Sequence, residues 1–307
     1  MKKILTIIIF FVLNITLCYS DDKINVDSIL TIKNDSLKFA LLRNQATDRW
    51  FSDPKTSLEI SKIALKLSEK QSNIRIKSNA YFDVAVSYYM LSDYDSSLVY
   101  AFKSNELYKN NNNSIGVANS YRLIADNYSD KKEYELAFKY YQISLNNFEK
   151  VSINKNQDSD YVRLYAILLN NYATLFLSTS DFREAEKYFL SSIELYRKAK
   201  NIQGELIAIY NIAICSHNLK DEENAFKYFD QAYKLADMTN NLNIKANALQ
   251  GLGLISETKK DYKIALKNYK KIMSYLYQLN FIPSILYNYS NIGNCYLLLG
   301  DYHNSLK

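Results

Sequence analysis

Three stretches decide the fold: residues 173–185 read ATLFLSTSDFREA, residues 213–225 read AICSHNLKDEENA, and residues 253–265 read GLISETKKDYKIA. In each, a small residue stands eight positions before an Asp, and an Ala stands four positions after it. Extended outward, the acid recurs as Asp53, Asp93, Glu133, Asp181, Asp221, Asp261 and Asp301, at spacings of 40, 40, 48, 40, 40 and 40. Four residues on, the chain is always small: Ser57, Ser97, Ala137, Ala185, Ala225, Ala265, Ser305. Eight residues back it is Ala85, Ala125, Ala173, Ala213, Gly253 and Gly293 from the second unit onward. A fixed period of this length marks an array in which one supersecondary unit is stacked on copies of itself.

Each column has a mechanical reason. Asp at a helix start accepts hydrogen bonds from orphan backbone N–H groups and complements the positive end of the helix dipole. A residue with no bulk beyond Cβ lets two antiparallel helices approach to about 8 Å, while larger side chains one turn away fill the flanking grooves. Those are Tyr88, Tyr128, Phe176 and Tyr296 on first helices, and Tyr141, Phe189, Phe229 and Tyr269 on second helices. Pro54 follows the cap Asp53, where its missing N–H costs nothing, and Pro283 opens a helix in the same way. With only 6 Gly and 2 Pro in 307 residues, the composition also argues for an all-α fold.

The first twenty residues are a separate object. Lys2 and Lys3 precede an apolar run from Ile4 to Leu17, then Cys18, Tyr19 and Ser20, which reads as a secretory signal peptide (1–20). A lipoprotein signal with Cys18 as the lipidated residue is the rival, but Leu17 is bulky where that signal takes a small residue. A lead-in (21–35) and an array of about seven units (36–307) follow, with unit starts near 36, 76, 116, 164, 204, 244 and 284. The 48-residue spacing places an insertion at 152–160, expected to be a looser loop. Asn-rich connections such as Asn110–Ser114 and Asn240–Asn243 suit the left-handed conformation that ends helices.

Without Lys2 and Lys3 the exported chain carries 36 basic against 32 acidic residues, spread along its length. No basic stripe results, so nucleic acid is not expected as a partner. Cys215 and Cys295 read as free buried thiols, because Ile255 fills the same column in the unit between them. His217 and His303 have no neighbouring ligands at metal spacing, and no metal or cofactor is implied. Gly251-x-Gly253 lacks the strand and third glycine of a phosphate loop. Acidic pairs such as Glu222-Glu223 are explained by the helix dipole. Nothing recommends a catalytic role.

The pattern Tyr-Asn-x-Gly/Ala followed by Asp-Tyr-x-x-Ala-Leu, as in Tyr289 to Gly293 with Asp301 to Leu306, resembles the tetratricopeptide repeat in a 40-residue version, over residues 36 to 307. The first unit departs most, with Gln45 at the small site. The resemblance implies a right-handed α-α superhelix of helical hairpins that binds peptides or proteins. The wording Asp-Ser-Ile-Leu (27–30) and Ser-Asp-Pro-Lys (52–55) is similar to the exported sensor portions of Bacteroidetes-type signalling proteins, in which a membrane helix and a histidine kinase or helix-turn-helix domain follow the repeats. Leu297, Leu298 and Leu306, with no second helix to cover them, give the expectation that the chain is the N-terminal part of such a protein, on the periplasmic side of the inner membrane. Membrane attachment is expected only through such a C-terminal segment or a lipidated Cys18. A freestanding exported scaffold is the alternative.

In such a stack the first helices line a concave wall. Counting by helix period from the small residues, that wall holds Asn79, Phe82, Asn119, Arg122, Asp126, Asn170, Tyr210, His217, Gln250, Glu257, Tyr287 and Asn294. Amides at regular intervals pair with a peptide backbone, and rings cover its side chains. Arg122 is expected to be the one concave cation, in an exposed, weak pair with Asp126. The Lys and Asn clamp that the resembled family uses for a terminal carboxylate is not carried over, since Phe82, Arg122, Tyr210 and Gln250 stand where its first Lys would. A merely solvated face is the other reading.

Overall fold

The computed structural model describes residues 26–155 and 159–305. The signal peptide with Cys18, and Leu306, lie outside the described residues. The described chain forms fifteen helices and no strand: α1 (Val26–Leu30), α2 (Asp35–Thr47), α3 (Pro54–Glu69), α4 (Ile74–Met90), α5 (Tyr94–Asn110), α6 (Ser114–Asp130), α7 (Tyr134–Lys155), α8 (Ser159–Ser178), α9 (Phe182–Lys198), α10 (Ile202–Asn218), α11 (Glu222–Met238), α12 (Leu242–Thr258), α13 (Tyr262–Leu279), α14 (Ile282–Leu298) and α15 (Tyr302–Ser305). The architecture is an α-solenoid of helical hairpins. It divides into two compact units, Met1–Glu133 and Tyr134–Lys307.

The 40-residue period is two 17-residue helices and two three-residue connectors, as in α10 and α11. The described three-residue connectors share one geometry. Their middle residue is left-handed (Ser92, Asn112, Lys132, Ser180, Lys200, Lys220, Asn240, Lys260, Gly300); the α2–α3 and α3–α4 links have no left-handed residue, and the two-residue link between α13 and α14 has Asn280 left-handed at its first position. The N–H of the third connector residue reaches back to a carbonyl five residues earlier, for example Asp93 to Tyr88 (3.0 Å) and Asp261 to Ser256 (2.8 Å). This closes the finished helix as a Schellman motif, and the side chain of the same residue starts the next helix.

Asp53, Asp93, Asp181, Asp221, Asp261 and Asp301 each accept the backbone N–H three residues on. Asn34, Asn113, Asn201 and Asn241 do the same for first helices, as does Asn73, which accepts from Arg75 and Ile76. Asn therefore serves the array chiefly as a cap. In the Asn-rich connections Asn112 and Asn240 take the left-handed position, as expected; elsewhere it is filled mostly by Lys and Ser, whose cost there is offset by two satisfied helix ends.

Two expectations are corrected. In the expected insertion, residues 152–155 end the 22-residue α7 and residues 159–160 begin α8, so its described part is helical and not a loose loop; residues 156–158 lie outside the described residues. In the first unit the small contact residue is Ala46 rather than Gln45. The Ser57 hydroxyl donates to the Ala46 carbonyl (2.9 Å), as the Ser97 hydroxyl does to Ala85 (2.9 Å), so this hairpin is one residue shorter.

The small columns are the centre of the packing. Ala85, Ala125, Ala173 and Ala213 are fully buried, as are Ala137, Ala185, Ala225 and Ala265. Tyr141, Phe189, Phe229 and Tyr269 are buried beside them, whereas Tyr88, Tyr128, Phe176 and Tyr296 are half-buried. A Cβ on Gly253 would lie 2.5 Å from the Tyr269 ring, and one on Gly251 2.5 Å from Phe229, so both glycines are there for close approach. Ala213→Leu should force α10 off its neighbours and cost about 1–3 kcal/mol by overpacking. Thermal unfolding is the measurement, and an unchanged midpoint would show that this column is not the contact it is described to be.

Candidate functional site

Within the first compact unit, the inner first-helix face is built by α2, α4 and α6, and its charged groups pair with one another, although Asp83 Oδ1 and Asn127 Oδ1 are buried without a partner. Arg43 on α2 donates through Nε to Asp83 Oδ2 on α4 (2.8 Å). The Tyr108 hydroxyl donates to Asn79 Oδ1 (2.8 Å). On α6, Arg122 donates through Nε to Asn119 Oδ1 (2.9 Å) and pairs with Asp126 through Nη1. Tyr89 donates its hydroxyl to Asp130 (2.7 Å).

Phe82, expected as a contact surface, is 4% exposed and its ring lies 6.5 Å from that of Tyr108. Asp126 is 5% exposed, so its pair with Arg122 is buried rather than exposed and weak. Arg122 is also not the only inner cation, because Arg43 occupies the same column two units earlier, once the one-residue shift of the first hairpin is allowed for. Arg43, Asp83, Tyr89 and Asp130 were not picked out by helix period alone. The 40-residue offset between Arg43 and Asp83 is the signal that could have found them.

Burial pushes the Asp83 carboxyl up to about 6, against the opposing pull of the Arg43 guanidinium. Its Oδ1 has no partner. The folded chain therefore holds a proton there at pH values where the unfolded chain does not.

The second unit presents α8, α10, α12 and α14, and there the polar groups are amides left incomplete. Asn170 on α8 is 7% exposed and its Oδ1 has no partner; Asn211 on α10 is 4% exposed and its Nδ2 has none. Gln250 Nε2 on α12 and Asn291 Nδ2 on α14 are likewise buried without partners. Asn211 and Asn291 were missed, although Asn171, Asn211 and Asn291 recur at 40 and 80 residues, with Gly251 between.

The other expected residues of this face are more varied. The Tyr210 ring packs 6.0 Å from Phe229, and burial raises its hydroxyl above the ordinary tyrosine range. His217 is half-buried, and burial, with Lys220 nearby, lowers its affinity for a proton. Glu257 accepts the Cys295 thiol (3.5 Å). Tyr287 and Asn294 are exposed. A cleft of about 380 Å³ lies against α14, lined by Tyr289, Ser290, Gly293, Asn294, Leu297 and Ser305.

Among the described residues no group of three or more His, Cys, Asp or Glu could hold a metal ion, and no helix is long and apolar enough to cross a membrane. Cys215 and Cys295 are free and buried, with thiols pushed up to about 12, chiefly by burial.

One hairpin, Ile207 in α10 to Asp237 in α11, carries the cap, the small column and the aromatic filler together. Residues 207–237 match the family model of the tetratricopeptide repeat. No curated protein matches the chain as a sequence. Solved structures do. One is a Rap protein complexed with competence and sporulation factor, at 16% identity and a TM-score of 0.61, covering 90% of this chain and 80% of that one. Another is the apo form of the quorum sensor NprR from B. thuringiensis, at 21% identity and 0.64, covering 89% and 74%. A third is a signal transduction ATPase with numerous domains from Pyrococcus horikoshii that carries a tetratricopeptide repeat sensor, at 15% and 0.67, covering 89% and 42%. At these identities the likeness is one of fold, and the fold is the tetratricopeptide-repeat-like solenoid.

Two measurements test the site chemistry. Because Asp83 has a folded pKa of about 6 and an unfolded one near 3.9, its contribution to stability is present at low pH and is lost as pH rises through 6. Asp83→Asn should therefore stabilise the chain at pH 7.5 by about 1–3 kcal/mol and flatten stability between about pH 4 and 6; urea unfolding of both proteins across that range is the check. Iodoacetamide at pH 8 should label Cys215 and Cys295 at least about a hundredfold more slowly in the folded chain than in urea, since a thiol titrating near 12 supplies almost no thiolate.

Proposed function

We propose that the chain is a non-catalytic peptide- or protein-binding solenoid, and that it is exported as the periplasmic input region of a membrane signalling protein. The observation that carries the binding reading is the recurrence of amide side chains on the successive first helices α8, α10, α12 and α14, at Asn170, Asn211, Gln250 and Asn291. An amide carries both a donor and an acceptor, and an extended backbone presents the C=O and the N–H that pair with them. Two of the similar structures, the Rap protein with its bound factor and the quorum sensor NprR, support a solenoid of this type as a receptor. The export reading rests on the signal-like residues 1–20, and the signalling reading on the opening motifs at 27–30 and 52–55.

Selection of a displayed random-peptide library on the purified chain tests the binding reading. Peptides should be recovered, and Asn211→Ala or Gln250→Ala should weaken them about tenfold or more, the scale of one or two lost hydrogen bonds. Lys187→Ala, on exposed α9 surface, should leave them unchanged. Equal recovery by all variants would remove this face from the reading. Export is tested by protease digestion of spheroplasts, which should cleave a chain that begins at Asp21; protection of the chain with residues 1–20 intact would sink it.

A further inference from the structure

The even spread of charge expected of the whole chain fails in the last hairpins of the second unit. Residues 259–300 hold six Lys and a single acidic residue, Asp261, with no Arg or His. The exported chain has four more basic than acidic residues in all, and this stretch alone has five. Helix period places Lys263, Lys267, Lys270 and Lys271 on one side of α13, with Lys259 and Lys260 in the connector before it. All six are exposed. The helix itself contains no acidic residue, and Asp261 caps it, accepting from the Ile264 N–H (3.2 Å). Ion pairs on neighbouring helices join other residues, Lys234 with Asp230 and Lys245 with Asp237, and among the described residues none of the six lysines takes part in one. Three of them lie against rings: Lys259 is 5.8 Å from the centroid of Phe226, Lys270 4.9 Å from Tyr296 and Lys271 4.7 Å from Tyr233. A ring steadies the lysine stem and leaves its charge uncancelled. Past the lysines the surface turns apolar. Tyr277, two turns beyond Lys270 on the same stripe, is 57% exposed, and Phe281 and Ile282 are 44% and 61% exposed.

We infer that this surface docks on an anionic lipid bilayer, with the α13 lysines among the phosphate headgroups and Tyr277, Phe281 and Ile282 at the boundary with the acyl chains. This goes beyond the proposed function and does not depend on whether the chain binds a peptide. Lysines on long, flexible stems are attracted to a negative surface without needing a fixed geometry, and a fluid layer of headgroups offers none. The exposed apolar side chains decide between kinds of polyanion. Against a nucleic acid duplex they would face phosphate and water, whereas at a bilayer they leave water for the interface, where aromatic side chains settle. Attachment of this kind grows with apolar area buried and with attraction to anionic lipid together, and α13 with the start of α14 supplies both on adjoining surface.

The test is sedimentation of the whole exported chain with vesicles of phosphatidylcholine alone and of phosphatidylcholine with about a third phosphatidylglycerol. The chain should partition at least about thirtyfold more strongly onto the anionic vesicles at roughly 0.1 M NaCl, and most of that preference should vanish at about 0.5 M. A Lys near an anionic surface contributes roughly fivefold to binding, so Lys263→Gln, Lys267→Gln and Lys270→Gln together should weaken it about thirtyfold or more. The same loss of charge at Lys55, Lys66 and Lys70, exposed on and beside α3, should weaken it less than about threefold. Phe281→Ser with Ile282→Ser should weaken it about tenfold while helical content stays the same. Equal binding to neutral and anionic vesicles overturns the inference, and so does binding to neither. A loss no larger from the α13 variant than from the α3 variant also overturns it, as does binding of single- or double-stranded DNA as tight, per phosphate, as that of the anionic vesicles.

Discussion

The structure depends on how one three-residue connector ends a helix and begins the next. Its middle residue turns left-handed, its third N–H closes the helix behind, and the side chain of that third residue caps the helix ahead. Each requirement limits the others: a longer link would release the Schellman hydrogen bond, and a third residue without a short oxygen-bearing side chain would leave the first-turn N–H groups bare. Repeated with helices of constant length, the connector sets the period at 40 residues. Every inner column then falls on the same face, and the small residues meet across each hairpin. In the one place where the spacing grows, between Glu133 and Asp181, α7 has 22 residues and α8 has 20 against the 17 of their neighbours.

That constancy explains why the fold was legible in the sequence and why the site was only half so. Asp caps, small columns and aromatic fillers are local requirements that each unit satisfies for itself, so their recurrence survives in residue identities. Helix period likewise picks out Asn170 and Gln250, whose side chains carry buried amide atoms. What period cannot reveal is whether a neighbouring unit has already consumed a polar group. Arg122 looked available because its nearest candidate partner was Asp126 one turn on; in the folded chain both are buried and Asn119 holds the guanidinium as well. Phe82 looked like a contact surface and is core.

The missing information lies in a comparison between units rather than within one. Arg43 meets Asp83 across 40 residues of sequence, from one first helix to the next. In the second unit the same two neighbouring columns hold Asn170 with Asn171, Tyr210 with Asn211, Gln250 with Gly251, and Ser290 with Asn291. Where both columns carry charge, the helices are tied together, with one carboxylate oxygen, Asp83 Oδ1, left over. Where they carry amides and a glycine, hydrogen-bonding atoms are left over.

A stability argument decides what those leftover atoms mean. Buried amides that complete one another rigidify a core; buried amides that do not are a cost the fold must carry. The hairpins of the second unit have ample means to carry it, since one continuous cluster of buried apolar residues runs from Ala166 to Cys295. Apolar residues would serve that packing better at Asn170, Asn211, Gln250 and Asn291, and Ile and Leu already fill most of the columns beside them. Four such positions recur in the same two columns of successive inner helices, so the cost is set by the register of the array and not by one local accident.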